Sequence, residues 1–194
     1  IFNTIVVICF ILAFKEFAEI VNRFRDKTVW LIFGLIYIFG SMVSLIYLRN
    51  IDSIMSSPFT FLLFAGVMVN DSMAFIVGKT LGGPKILPKI SPKKTYSGLF
   101  GGLVGSIIFI LLCDNYFLNS FTEFSLNNTD KIFLIFVFNI VGFFGDTFES
   151  IIKRKADVKD SSGLLLGHGG MLDRLDSLIL TTPVTMFYVI AYYL

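Results

Sequence analysis

The sequence predicts an all-α integral membrane protein with about six transmembrane helices. Of its 194 residues, 55% are hydrophobic and only 15% are charged, and the mean hydropathy of +0.81 lies well above that of soluble globular domains. A helix needs about 20 apolar residues to cross a hydrocarbon core of roughly 30 Å. Apolar runs of about this length lie at residues 1–21, 29–48, 59–78, 98–113, 132–152 and 177–194.

The predicted spans follow one another without a Pro- or Ser-rich linker. We therefore predict a single polytopic membrane domain over residues 1–194. The chain starts with Ile inside an apolar run, and no charged segment or small-residue cleavage site precedes that run. We expect further amino-terminal membrane helices to precede residue 1.

Basic residues predict the orientation of the spans. The connections 22–28, 79–97 and 153–176 carry three, five and five Lys or Arg residues, whereas the two alternate connections carry only Arg49 and Lys131. By the positive-inside rule, the three basic connections face the cytoplasm. We expect a protein of the bacterial inner membrane, with a polar active-site cavity that opens to the cytoplasm.

The connection 153–176 is the longest polar stretch of the chain. It is too polar to span the membrane, and connections of this length are usually functional or disordered. It contains the only histidine, His168, among Gly167, Gly169 and Gly170, and glycine permits tight turns and close approach of the backbone to a ligand. We interpret residues 153–176 as a cytoplasmic active-site segment.

Four aspartates are predicted to lie at one depth below the cytoplasmic surface. Asp71 and Asp146 each precede the cytoplasmic end of a span by about seven residues, or about 10 Å along a helix. Asp173 and Asp176 open the sixth span, and their i, i+3 spacing places them on one helix face. Crowded carboxylates suit a hard divalent cation, and oxygen-only ligands favour Mg²⁺ over zinc. The alternative is that these acids form structural ion pairs with Lys and Arg.

A collar of basic residues surrounds this acidic level. Its members are Lys85, Lys89, Lys93, Lys94, Lys153, Arg154, Lys155 and Lys159. Buried acids with surrounding cations suit a metal-bound polyphosphate. Attraction to lipid headgroups would also explain each basic residue individually.

The start of the fourth span carries two further signals. Ser91 followed by Pro92 resembles an N-cap with proline at the first helical position, so we predict a helix amino terminus whose free N–H groups face phosphate. Glycines at 98, 101, 102 and 105 follow on one face. Small residues at this spacing are typical of close helix packing in membranes.

Two long stretches contain most of these residues. They are NDSMAFIVGKTLGGPKILPKISPKKTYSGLFGG at 70–102 and GDTFESIIKRKADVKDSSGLLLGHGGMLDRLDSL at 145–178. Both resemble the hallmark sequences of the CDP-diacylglycerol synthase family, also called phosphatidate cytidylyltransferases. The second is the more specific, with Ser150, Lys153-Arg154, Lys159-Asp160, His168-Gly169-Gly170 and Asp173-Arg174-x-Asp176 in the family's order and spacing. The AFKEF of residues 13–17 also resembles a segment that precedes these motifs.

The resemblance implies cytidylyl transfer, in which CTP and phosphatidic acid give CDP-diacylglycerol and pyrophosphate. It implies Mg²⁺ held by Asp146, Asp173 and Asp176, with Asp71 as a fourth ligand and a second cation such as K⁺ beside it. The basic residues implied in binding the triphosphate or the lipid phosphate are Lys93, Lys94, Lys153, Arg154, Lys159 and Arg174. His168 would contact phosphate or protonate the leaving pyrophosphate, or else shape the turn. The resemblance also implies a homodimer among membrane lipids.

The chain departs from the family pattern at two places. Leu166 stands where proline usually precedes the Gly-His pair. Tyr96-Ser97 stands where an aromatic residue followed by Glu is common. These departures bear on turnover and leave the implied reaction class intact.

Other functions also fit parts of the sequence. A CTP-dependent polyprenol or dolichol kinase, or an archaeal-lipid cytidylyltransferase, would share the membrane setting and the nucleotide. A cation-coupled transporter would use Asp71 and Asp146 inside the membrane, but the charges concentrate on one side and no inverted repeat is visible. A structural membrane subunit would leave residues 145–178 unexplained, and nothing supports binding of nucleic acid.

Overall fold

The computed structural model describes residues 1–55, 58–118, 124–164 and 169–194. These ranges form eight α-helices and one short β-hairpin. The elements are α1 (Phe2–Val21), α2 (Lys27–Gly34), α3 (Gly40–Met55), α4 (Phe59–Leu81), β1 (Lys85–Leu87), β2 (Ser91–Thr95), α5 (Tyr96–Leu112), α6 (Asn128–Phe136), α7 (Gly142–Lys155) and α8 (Leu172–Tyr193).

Three short π-helical segments extend or join these helices. Leu35–Phe39 joins α2 to α3, Cys113–Leu118 extends α5, and Val137–Val141 joins α6 to α7. Helix α6 starts with a capping box, in which Asn127 and Asp130 each accept a hydrogen bond from the other's backbone N–H at 2.8 and 2.9 Å. The joined helices are therefore longer than any single α-helical stretch suggests.

Five helices are long and apolar enough to cross a membrane. They are Lys27–Ser53, Phe59–Leu81, Tyr96–Tyr116, Asn128–Lys155 and Leu172–Tyr193. This confirms the prediction of an all-helical integral membrane protein. The first predicted span also forms a helix, α1, but it is not among the five, because three charged residues, Lys15, Glu16 and Glu19, lie in its second half.

Helix α8 lies at the centre of the bundle, where it contacts α1, α3, α4 and α7. Thr181, Thr182 and Thr185 are fully buried along it. Each hydroxyl donates to a carbonyl one turn back, at 2.9, 2.7 and 2.9 Å. A central helix can hold these polar groups because its own backbone satisfies them.

The three basic connections meet at one end of the bundle, which we call the basic end. The Arg23 guanidinium donates to the Ala156 carbonyl at 3.3 Å, which joins the first connection to the third. The Arg154 guanidinium donates to the Ile90 carbonyl at 3.1 Å, which joins the third to the second. The alternation of basic connections along the chain therefore corresponds to a shared position in space.

The predicted helix start at Ser91 and Pro92 is wrong. Residues Ser91–Thr95 form β2, which pairs antiparallel with β1 in a register that places Lys85 opposite Thr95. Helix α5 begins at Tyr96, and its N-cap is Thr95, whose Oγ1 accepts a hydrogen bond from the Gly98 N–H at 3.1 Å. Proline is compatible with the strand because the two-stranded hairpin has only edge strands.

The glycine face of α5 packs closely on α4, as the sequence predicts. All four glycines are buried. A Cβ atom at Gly101 would collide with the side chain of Val77, and one at Gly105 would lie 2.6 Å from Met73 Cγ. Small residues thus let two membrane helices approach through their backbones.

Replacing Gly101 with Ala should destabilise the protein by about 1 to 3 kcal/mol, because the added methyl group forces α5 away from α4. The matched control is Gly40→Ala, where a Cβ atom meets nothing within 4 Å. That change should be neutral or slightly stabilising, since alanine favours the helix. Thermal unfolding in detergent measures both, and equal melting temperatures for the two variants would contradict the packing argument.

Candidate active site

Three of the four predicted aspartates lie within electrostatic reach of one another at the basic end, each on a different helix. Asp71 lies on α4, Asp146 on α7 and Asp176 on α8. Asp71 and Asp176 both lie within Coulombic range of Asp146, and Asp176 also lies within range of Asp71. We call these three residues the carboxylate cluster.

Close packing of α7 on α8 sets the position of Asp146 beside Asp176. Gly145 is buried at this contact. A Cβ atom at Gly145 would lie 2.7 Å from the Asp176 carbonyl oxygen and 3.3 Å from Ser177 Cα. Backbone atoms cannot move aside as a flexible side chain can, so glycine at this position allows the helices to approach.

Lys94 links the hairpin to the carboxylate cluster. Its Nζ lies 3.0 Å from Asp146 Oδ2 and donates to Thr147 Oγ1 at 2.9 Å. It also lies 4.3 Å from the centre of the Phe143 ring, a cation–π distance. One basic residue that the resemblance implies in phosphate binding therefore contacts an implied metal ligand directly.

Asp173 occupies a different position, where protein donors use both of its carboxylate oxygens. Oδ1 accepts a hydrogen bond from Lys153 Nζ at 2.6 Å. Oδ2 accepts from the Ser161 N–H at 2.9 Å, from Ser161 Oγ at 2.9 Å and from the Gly170 N–H at 2.8 Å. Asp173 thus fixes the backbone before α8, and its role as a metal ligand stays a prediction.

Glu16 belongs to the same polar framework, although it was not among the predicted site residues. Its buried carboxylate lies 2.8 Å from Ser161 Oγ, whose single proton it shares with Asp173, and accepts from Ser162 Oγ at 2.6 Å. It also accepts from the N–H groups of Met171 and Leu172, at 3.0 and 2.9 Å. A negative charge is favourable there, because the amino terminus of α8 carries free N–H groups and the positive end of the helix dipole.

Gly170 allows Glu16 to reach the start of α8. A Cβ atom at Gly170 would collide with both Ser161 Oγ and a Glu16 carboxylate oxygen. In the sequence, the feature that points to Glu16 is its charge within an otherwise apolar helix, in the segment AFKEF. Charged groups in such helices are costly without partners, and here the partners come from a segment some 150 residues away in the chain, as the pairing with Leu172 shows.

Glu149 is the least satisfied acidic residue of the site. Its Oε1 lies 3.2 Å from Lys153 Nζ, and neither carboxylate oxygen has a hydrogen-bond partner among the described residues. It lies within Coulombic range of Asp176. Buried polar atoms without a protein partner are uncommon, and in many proteins a bound ion satisfies them.

The donor chemistry of this region fits Mg²⁺. The carboxylate cluster and Glu149 offer oxygen ligands, which hard cations prefer, and Glu149 Oε2 is buried without a hydrogen-bond partner among the described residues. Within the described ranges, no three His, Cys, Asp or Glu side chains are arranged closely enough to enclose a metal ion in this conformation. Binding would therefore require these side chains to close around the ion.

The other predicted basic residues are distributed unevenly around the site. Lys153 is buried between Glu149 and Asp173. The Arg154 side chain donates to Ile90 and to the Val158 carbonyl at 2.8 Å.

Four predicted site residues remain to be placed. Lys93, Lys159 and Arg174 are exposed at the basic end. His168 lies outside the described residues, as does Leu166. The roles predicted for these residues therefore stay predictions.

The chain has relatives of known family. The model of the cytidylyltransferase family matches residues 1–192. A phosphatidate cytidylyltransferase of Rickettsia bellii (strain RML369-C) is 35% identical over 93% of this chain and 78% of the relative. One of Bacillus subtilis (strain 168) is 32% identical over 84% of this chain and 58% of the relative. Phosphatidate cytidylyltransferase 4, chloroplastic, of Arabidopsis thaliana is 41% identical over 67% of this chain and 32% of the relative.

Fold and site together define an integral membrane enzyme with acidic and basic groups gathered at one end of a helix bundle. The match over residues 1–192 gives the class of reaction, which is nucleotidyl transfer. The chain belongs to the cytidylyltransferase family.

Replacing Glu16 with Gln should destabilise the basic end by about 2 kcal/mol or more, because an amide presents a donor to groups that are themselves donors. The melting temperature should fall, and amide exchange at residues 170–175 should accelerate. The matched control is Glu19→Gln on the exposed side of the same helix. If both variants melt and exchange alike, Glu16 does not hold the start of α8.

Proposed function

We propose that this chain transfers the cytidylyl group of CTP to phosphatidic acid, forming CDP-diacylglycerol and pyrophosphate. The observation that carries the proposal is the family match over residues 1–192. Relatives named phosphatidate cytidylyltransferase align over most of the chain. The gathering of acidic and basic groups at the basic end supplies the chemistry that the reaction needs.

The proposed reaction requires no side-chain nucleophile. An oxygen of the lipid phosphate attacks the α-phosphorus of CTP and forms a new P–O bond. The bond from the α-phosphorus to the oxygen that bridges it to the β-phosphorus breaks, and pyrophosphate leaves with the bonding electrons. Catalysis then consists of aligning two anionic groups and neutralising their charge.

Asp71, Asp146, Asp173 and Asp176 are the proposed Mg²⁺ ligands, with K⁺ as a second cation. When bound, Mg²⁺ supplies positive charge to the triphosphate. Asp146 is the best supported, because its carboxylate is partly open and its partner Lys94 is itself able to bind phosphate. Asp173 is the least available, because protein donors already use both of its oxygens.

The basic residues orient the anionic groups in this proposal. Lys94 lies beside Asp146 and would contact a phosphate bound there. Lys153 keeps Asp173 and Glu149 in place and adds positive charge to the cavity. The outer residues proposed to bind the triphosphate or the lipid phosphate are Lys93, Arg154, Lys159 and Arg174. His168 is proposed to contact phosphate or to protonate the leaving pyrophosphate.

The proposed setting follows from the same charges. We place the basic end at the cytoplasmic face of a bacterial inner membrane, because clustered Lys and Arg connections favour that side. CTP would arrive there from water, and phosphatidic acid would arrive laterally at headgroup level. A homodimer is the proposed assembly, by analogy with the family.

The test is product formation by the chain in lipid nanodiscs with CTP and Mg²⁺, comparing phosphatidic acid, a polyprenol and no added lipid. We expect pyrophosphate release that requires phosphatidic acid and stops when EDTA removes the metal. CDP without pyrophosphate in the polyprenol reaction would instead indicate a lipid kinase. Pyrophosphate release that is independent of lipid, or unaffected by EDTA, would contradict the proposal.

Asp146→Asn and Asp176→Asn should each lower turnover by about 100-fold or more, because the amide keeps the shape but removes the charge that holds a cation. The matched control is Asp26→Asn, in the exposed connection between α1 and α2. All three variants should insert and melt like the parent chain. Near-normal pyrophosphate release by the two cluster variants would remove these residues from the metal site.

A further inference from the structure

A groove of about 260 Å³ lies between α5 and the helix formed by α6 and the π-helical segment Val137–Val141. Its lining residues are Tyr96, Leu99, Phe100, Leu103, Ile135, Phe136, Asn139 and Ile140. The residues of α5 follow an i, i+3, i+4, i+7 pattern, so they form one helix face. Both walls lie within spans long and apolar enough to cross a membrane, and their side chains Phe100, Phe136 and Ile140 are exposed on the outside of the bundle, as a lipid-facing groove requires.

The packing of α5 on α4 leaves the groove face of α5 free of α4. The glycine face of α5 is drawn against α4, and the groove face lies on the other side of the helix. On the facing wall, the π-helical segment inserts an extra residue per turn, a feature that recurs at functional sites. The two walls contact each other, and the groove lies between their larger side chains.

The groove offers an occupant almost no polar contact. Of the lining residues, only Tyr96 and Asn139 carry polar side-chain atoms. The Asn139 amide is already used, because its Oδ1 accepts from Asn70 Nδ2 at 2.8 Å and its Nδ2 donates to the Ile135 carbonyl at 2.9 Å. An apolar chain in the groove would therefore not displace the hydrogen bonds of Asn139.

One end of the groove lies near the Lys94–Asp146 pair. Along the facing helix, Ile140 and Phe143 are three residues apart and lie near one face, and Lys94 Nζ lies 4.3 Å from the centre of the Phe143 ring. Six residues from Ile140 to Asp146 correspond to about 9 Å. On the other wall, Tyr96 opens α5 two residues after Lys94. A phosphate at the ion pair would thus lie near the end of the groove that Tyr96 lines.

We infer that this groove binds an acyl chain of the lipid substrate, while Lys94 receives its phosphate. This inference rests on the proposed function, which identifies the lipid as phosphatidic acid. Charge complementarity at the mouth and an apolar wall below it select a molecule with an anionic phosphate joined to a long hydrocarbon chain. The groove makes the chain length of the lipid a determinant of binding.

The experiment fills the groove with Leu103→Trp and uses Ile108→Trp as its matched control. Ile108 lies on the same helix, is 50% exposed and does not line the groove. Kinetics are measured with dipalmitoyl phosphatidate in nanodiscs and with dibutyryl phosphatidate, whose chains are too short to fill the groove. Leu103→Trp should raise KM for the long-chain lipid about tenfold with little change in kcat, the signature of lost uniform binding.

KM for dibutyryl phosphatidate and for CTP should stay unchanged in both variants. Equal KM changes for the two lipids, or none for the long-chain lipid, would overturn the inference. A second measurement does not depend on turnover: phosphatidate with a photoreactive group on its acyl chain should label α5 and α6, and Leu103→Trp should suppress the labelling. Labelling elsewhere would also overturn the groove assignment. If the parent chain does not turn over phosphatidate, the proposed function fails and the labelling alone decides the groove.

Discussion

The site depends on two carboxylates, those of Glu16 and Asp173, which hold the described residues at the start of α8 against Ser161 and Ser162. Together they accept hydrogen bonds from the backbone N–H groups of Ser161, Gly170, Met171 and Leu172. Burying any of these N–H groups at the edge of a membrane without a hydrogen-bond partner would cost free energy. Because Glu16 comes from α1 and Asp173 from α8, the same bonds also join the first helix of the chain to the last.

Helix packing then divides the surface of α5 between two roles. Its glycines bring it against α4, which carries Asp71 toward the carboxylate cluster. Its larger side chains are left on the opposite face, where they line the groove. One short segment of sequence therefore positions an acidic residue of the site and forms a wall beside it.

Much of this architecture could be predicted from the sequence, because membrane helices have strong hydropathy signals and directions that alternate. Those directions are why Asp71, Asp146 and Asp176 could be expected to meet. The start of α5 was misplaced because Ser91-Pro92 and Thr95 carry equally good local capping signals, and only pairing with β1 decides between them. Glu16 was left out of the predicted site residues because its partners are distant in sequence, so that lining the cavity and pairing with a nearby basic residue fitted equally well.

The role of Asp173 shows a further limit of spacing as evidence. The i, i+3 relation to Asp176 predicts a shared helix face, and a shared face favours a shared ligand role. In the structure, Asp176 joins the carboxylate cluster, whereas Asp173 accepts four hydrogen bonds from its own chain. Spacing alone therefore does not show which contacts each carboxylate makes, and the ligand role of Asp173 stays a prediction.

Two Lys–Asp ion pairs at the basic end differ in the free energy needed to separate their charges. Lys153 and Asp173 lie 2.6 Å apart with side-chain exposures of 10% and 13%, and stranding one such buried charge costs about 3 to 5 kcal/mol. Lys94 and Asp146 have side-chain exposures of 15% and 34%, so separating them strands charge in a more open setting. An incoming phosphate or cation can therefore replace a partner in the second pair at lower cost than in the first, which keeps the framework in place.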